Sequence, residues 1–140
     1  MNEVEKTWPM IGIVALDNQH AHYHGLIDQF TDLCMEIDVD LSEVNNFFSQ
    51  IIDYSIEHFD AEEFFMRSID YPDYSVHVGH HDEFRSKLEE LSEKLKNIKN
   101  VSEFAENTID WVDNWFFMHI AKDDMKLAEY YKSHQKDEVK

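Results

Sequence analysis

Apolar residues return at steps of three and four along four successive stretches of the 140-residue chain, with breaks of only a few residues between them. That spacing follows one face of an α-helix, so each stretch is predicted to be an amphipathic helix with one stripe turned inward. Connections so short make neighbouring helices antiparallel, which predicts an all-α, up-down-up-down four-helix bundle. The scarcity of Gly (3) and Pro (2) argues the same way, because a turn-rich β fold draws heavily on both. No internal repeat or low-complexity linker divides the chain. Its length suits one compact domain over residues 1–140, with a core from about 15 to 131 and polar ends at about 1–7 and 132–140.

The first helix is predicted over Asp17 to Ile37, with His20, Tyr23, His24, Ile27, Phe30, Cys34 and Ile37 on its stripe. The second opens at Asp40-Leu41-Ser42-Glu43, where Asp40 can cap and Glu43 can reach back. Its stripe reads Phe47, Ile51, Tyr54, His58, Glu62 and Phe65, and it stops near Ser68 to Tyr71, ahead of Pro72. The third carries His77, His81, Phe84, Leu88, Leu91 and Leu95 and breaks at Asn97 to Asn100. Asn100-Val101-Ser102-Glu103 is a second capping-box-like start, leading into Phe104, Thr108, Trp111, Trp115 and His119.

These stripes are not purely apolar. His58 and Glu62, and again His77 and His81, lie four residues apart and so point the same way from their helices. His20 and His119 sit on the stripes of the first and last helices. One inward histidine alone is usually a hydrogen-bonded core residue. Five converging with carboxylates on one core are hard to satisfy with each other, whereas a metal ion satisfies them together. Nitrogen donors with carboxylates suit iron, manganese or zinc without any thiolate. The other histidines read differently: His22, His80 and His134 as solvated surface, His24 as a core-edge group one turn after His20. Cys34 reads as a small buried hydrophobe, and Glu63 as a residue off the metal axis that serves the surface or helix end.

The segments Asp17-Asn18-Gln19-His20, His58-Phe59-Asp60-Ala61-Glu62-Glu63, Tyr71-Pro72-Asp73-Tyr74-Ser75-Val76-His77, then His81, and Trp115-Phe116-Phe117-Met118-His119-Ile120 together resemble the hemerythrin family. They occur in the family's order and span nearly the whole chain. The resemblance implies two iron ions cycling between Fe2+ and Fe3+ with an oxo or hydroxo bridge. It implies His77, His81 and His119 on one iron, His20 and His58 on the other, and Glu62 and Asp124 bridging both. It implies dioxygen at the open position of the five-coordinate iron, walled by Trp115, Phe116 and Ile120. Phe116 and Tyr23 each stand where the family commonly has leucine, and Leu127 where it commonly has tyrosine, so the pocket's shape is this chain's own.

One spacing resists an ideal helix. Asp124 follows His119 by five residues, about 140° away around an α-helix, whereas Asp123 at four would point better. The family pattern selects Asp124, and a local π-type widening would bring it round; Asp123 stays open as the alternative.

Charge narrows the partners. With 30 acidic against 12 basic residues and a formal net charge of −18, the surface repels nucleic acid and anionic lipid. No apolar run reaches membrane-spanning length, the first residues lack the pattern of a secretory signal, and a lone cysteine forms no internal disulfide; a cytoplasmic protein is expected. The expected role is dioxygen binding for transport, storage or delivery rather than catalysis. The alternatives are a di-iron peroxide reductase or oxidase fed by an electron-donor protein, an oxygen or redox sensor acting through a separate partner, and a zinc-only structural bundle.

Overall fold

The computed structural model describes the backbone of residues 10–139 and the side chains of residues 10–134. Its order is α1 (Val14–Cys34), α2 (Leu41–Ser68), α3 (Tyr74–Leu95), α4 (Val101–His119), a π-helical turn (Ile120–Asp124) and α5 (Met125–Val139). The last three run on with helical backbone angles at the junctions and act as one rod. The rods pack in a ring, α1 on α2, α2 on α3, α3 on α4 and α4 back on α1, and no strand occurs among the described residues. This is the antiparallel four-helix bundle that the short connections predict.

The helix ends show why the chain turns where it does. The Asp40 carboxylate accepts from Ser42 N–H at 2.9 Å, and Asn100 Oδ1 accepts from Glu103 N–H at 3.0 Å, so α2 and α4 both begin on side-chain caps. At the end of α2, Tyr71 N–H donates to Met66 O and Asp70 N–H to Arg67 O, with Asp70 left-handed at φ 53°. That is the Schellman pattern, and it stops the helix just before Pro72. At the start of α1 the Asp17 carboxylate accepts from Ile11 and Gly12 N–H, while Lys132 Nζ donates to Ile11 O. Gly12 sits at φ +87°, and a Cβ there would run into Lys132 Nζ.

Several details depart from the sequence reading; on α4, Val112 and Phe116 are buried where Trp111 and Trp115 are expected, and those two rings stand half-buried beside them. Helix α1 ends at Cys34, and Ile37 lies beyond it, 91% exposed, in the turn that leads to the Asp40 cap. The buried stripe of α2 is Val44, Phe48, Ile51, Ser55, His58, Phe59, Glu62 and Met66; Phe47, Tyr54 and Phe65 flank it half-buried. Adjacent aromatics such as Phe47 and Phe48 satisfy the helical period almost equally well and both meet Phe30, but Phe48 also packs on Phe104 and is the one buried. Finally, α5 continues as helix through 132–139 of the polar end, while residues 1–7 lie outside those described. No helix among the described residues is long and apolar enough to cross a membrane.

One portion of the core is hydrocarbon, built around Phe30, Phe48, Phe104 and Leu88. The other portion is polar and wholly buried. His20, His58, Glu62, His77, His81, His119 and Asp124 all turn inward there, and Glu62, His81 and Asp124 have no exposed surface.

Candidate metal centre

Each rod contributes to the buried polar cluster by its own periodicity. Helix α1 supplies His20; α2 supplies His58 and Glu62 one turn apart; α3 supplies His77 and His81 one turn apart; α4 ends on His119. Asp124 closes the π turn. The wider turn carries a residue five positions after His119 back to the inner face, which an α-helix would turn away. Asp123 consequently lies on the outside, with its carboxylate against the other edge of the His119 ring.

The two carboxylates are shared between two histidine groups. Glu62 Oε1 lies 2.8 Å from His77 Nε2, 2.8 Å from His81 Nε2 and 3.7 Å from His119 Nε2, while its Oε2 lies 3.9 Å from His58 Nε2. Asp124 Oδ1 lies 3.1 Å from His77 Nε2 and 3.3 Å from His119 Nε2, while its Oδ2 lies 3.0 Å from His20 Nε2. The donors fall into two compact sets, each within 4.8 Å: Glu62, His77, His81 and His119, and then His20, His58, Glu62 and Asp124.

Hydrogen bonds do not close this cluster. His20 Nε2, His58 Nε2, Glu62 Oε2 and both Asp124 oxygens are buried without a hydrogen-bond partner, although Asp124 has three ring nitrogens near it. The His81 and His119 Nε2 atoms face each other at 3.1 Å. Buried polar atoms left in this state are costly. Cations between them would satisfy every one, and imidazole with carboxylate is a donor set for iron, manganese or zinc.

The same geometry sets the electrostatics of the ion-free cluster. Burial alone would push the His77 imidazole down, but Asp124 and Glu62 more than offset it and raise it to about 9. Burial likewise acts against the His119 cation, yet Asp124 and Asp123 hold its pKa well above the ordinary value. His58 goes the other way: burial dominates the pull of Glu62 and lowers it to about 4. Burial opposes ionisation of Glu62 and Asp124 too, but the surrounding imidazoles hold both well below the usual carboxylate range. Without a metal, the centre must therefore hold protons in the place of cations.

An outer ring of partners orients the imidazoles through their far nitrogens. Glu63 Oε2 accepts from His81 Nδ1 at 2.8 Å, Asp123 Oδ2 from His119 Nδ1 at 2.8 Å, and Gln19 Oε1 from His58 Nδ1 at 2.6 Å. Arg85 donates to the same Glu63 oxygen at 3.0 Å, and His80 Nδ1 lies 2.8 Å from the same Asp123 oxygen. Sequence reasoning missed these roles. Glu63 serves His81 rather than the helix end, and His80 is tied to Asp123 rather than merely solvated. Only the Asp123 contact had a signal in the spacing, a carboxylate four residues after His119 and so near its ring. His24 sits at the core edge, near Asp28.

The expected pocket residues divide between two sides. Phe116 is fully buried, with its ring 5.9 Å from His58 and 6.2 Å from His20, and Tyr23 stacks on it at 4.4 Å. The Tyr23 hydroxyl shares a 3.0 Å hydrogen bond with Ser55, and burial pushes its pKa up. Trp115 stacks on His119 at 4.6 Å and packs on Phe84 at 4.4 Å, facing an open groove of about 440 Å³ that His80, Glu83, Trp111 and Asp123 also line. Ile120 is buried at the start of the π turn.

The model of the hemerythrin HHE cation binding domain matches residues 11–131. Among curated relatives, the bacteriohemerythrin of Aquifex aeolicus is 27% identical over 128 residues, 91% of this chain and 93% of its own. The bacteriohemerythrin of Campylobacter jejuni is 28% identical over 117 residues, 84% of this chain and 86% of its own. A crystal structure of wild-type hemerythrin superposes with a TM-score of 0.77 at 23% identity, covering 90% of this chain and 97% of that one.

Proposed function

The chain belongs to the hemerythrin family, and from that premise we propose that it binds dioxygen reversibly at a non-haem di-iron centre, as a carrier, store or delivery protein. His77, His81 and His119 would hold one iron, His20 and His58 the other, and Glu62 and Asp124 both, together with an oxo or hydroxo bridge. The observation that carries this reading is the division of labour in each carboxylate: one oxygen faces the three-histidine group and the other faces the two-histidine group. A single-ion site needs no such arrangement. When bound, the iron pair supplies the reversible electron exchange with dioxygen that no side chain of this protein can provide.

The protein's own residues govern access and persistence. The group of two histidines would give its ion fewer protein ligands than the other group, and so leave room for a small molecule. Phe116, backed by Tyr23 and Phe59, puts hydrocarbon beside that group and keeps water and anions away from it. Ser55 occupies the Tyr23 hydroxyl, so that hydroxyl is buried with a partner.

The test is anaerobic reconstitution with ferrous iron, metal analysis, and optical spectra before and after oxygen. Two irons per chain and a charge-transfer band that appears with oxygen and fades on its removal are expected. Fewer than two irons, or oxidation that is complete within mixing and does not reverse, refutes the reading.

The open groove favours one second reading, a di-iron peroxide reductase or oxidase served by an electron-donor protein. Trp115 faces that groove and stacks on the buried His119, so a donor can come within one ring of a ligand imidazole. Peroxide consumption with a reducing partner present tests it, and turnover no faster than free iron rules it out.

A further inference from the structure

The far nitrogens of the inward histidines meet acceptors of different charge on the two sides of the centre. On the three-histidine side, His81 donates to the Glu63 carboxylate and His119 to the Asp123 carboxylate, both at 2.8 Å. On the two-histidine side, His58 donates to the neutral amide oxygen of Gln19 at 2.6 Å, and His20 Nδ1 is buried with no hydrogen-bond partner. A carboxylate drawing on the N–H of an imidazole increases the electron donation of its other nitrogen, while an amide does so far less. The His58 bond is the shortest of the three, but a full negative charge outweighs a difference of 0.2 Å between neutral and charged acceptors.

Resting on the di-iron reading above, we infer that Glu63 and Asp123 are positioning residues that widen the electronic difference between the two iron positions beyond what their unequal ligand number sets. The iron held by His77, His81 and His119 is the first to lose an electron when the diferrous protein is oxidised stepwise. In that step one electron passes from this ion to a one-electron oxidant such as ferricyanide, which becomes ferrocyanide; no protein bond forms or breaks. The two-histidine iron, without carboxylate support behind its imidazoles, stays ferrous longer and gives up its electron second.

The two supporting carboxylates are themselves restrained. Arg85 shares the Glu63 oxygen at 3.0 Å, and His80 shares the Asp123 oxygen. Both neighbours withdraw part of the negative charge, so removing one should strengthen the effect. This gives the inference a perturbation in each direction.

The experiment is a mediated optical redox titration of the iron-loaded full chain, with iron counted in each sample. Glu63→Gln and Asp123→Asn keep an acceptor oxygen in place but remove its charge. Each should make the first oxidation step less favourable by about tenfold in its equilibrium constant, an effect of the size that losing such an outer partner has on metal affinity or activity. Arg85→Met should make the first step more favourable. Gln19→Glu should leave the first step within twofold and make the second more favourable. The inference is overturned by a single unresolved two-electron step in the unaltered protein. It is also overturned if Glu63→Gln and Asp123→Asn leave the first step unchanged, or if Gln19→Glu moves the first step as far as they do. Fewer than two irons per chain in the unaltered protein would instead sink the di-iron reading, and this inference with it. Two irons with unmoved potentials sink the inference alone. Unfolding of the metal-free variants guards against a general loss of structure, and Arg85→Met, at a half-buried surface position, supplies the sign even if one acidic variant folds poorly.

Discussion

Replacing Phe116 with alanine tests how packing and access are joined at one residue. The ring is fully buried and is hemmed in by Tyr23 at 4.4 Å, Phe84 at 5.5 Å, Trp115 at 5.7 Å and Phe59 at 6.0 Å, with His58 and His20 on its remaining side. Buried Phe→Ala changes cost about 3–5 kcal/mol, more where the surroundings cannot collapse into the space. Rigid rings and histidines anchored from three helices collapse poorly, which places Phe116→Ala near the upper half of that range, about 4 kcal/mol. At roughly 3–5 °C per kcal/mol for a chain of this length, the metal-free protein should melt about 12–20 °C lower. Urea unfolding of the metal-free protein measures the energy directly. In the iron-loaded protein the same space opens beside His20 and His58, so azide, followed by its optical band, should bind more tightly and the oxygenated form should bleach faster. A stability loss under about 1 kcal/mol, together with unchanged azide affinity, would show that Phe116 neither braces the centre nor screens it.

Three further outcomes follow from the same coordinates. In the metal-free protein, His77 is raised to about 9, so its contribution to stability is full below its ordinary 6.5 and is lost as pH rises through 9. His58, lowered to about 4, contributes fully above 6.5 and loses that contribution as pH falls through 4. The metal-free melting temperature should therefore peak near neutrality and fall on both sides, with iron flattening the alkaline limb; a steady rise from pH 6 to 9 in the metal-free protein would contradict this. Asn100→Ala removes the cap at the start of α4 and should cost about 1 kcal/mol in urea unfolding without changing the iron count. Cys34 is buried, and burial raises its thiol to about 11, so iodoacetamide at pH 8 should label it only after denaturation; rapid labelling of the native protein would show that the end of α1 opens.

The bundle itself was legible in the chain, because helical periodicity and short connections are local properties that leave few ways to pack. So were His58 with Glu62 and His77 with His81, since a four-residue step fixes relative direction within one helix whatever the surroundings. Local period could not choose between Phe47 and Phe48 as the buried ring of α2, because both lie near the stripe and both meet Phe30; packing on Phe104 goes with the buried Phe48. Nor could it supply the outer partners that come from other helices. Gln19 meets His58, and Glu63 meets His81, across helix pairs, at separations of 39 and 18 residues, and no periodicity encodes such pairs. Asp124 stands between these cases. Its five-residue step is visible in the sequence, but only the π turn, formed where the last rod packs its inner face on the other three, brings that carboxylate inward and leaves Asp123 outside. What residues share a helix face is decided by the sequence, because backbone geometry is the same in every α-helix. What meets across helices is decided by rotation and register of whole rods, which depend on all their contacts at once.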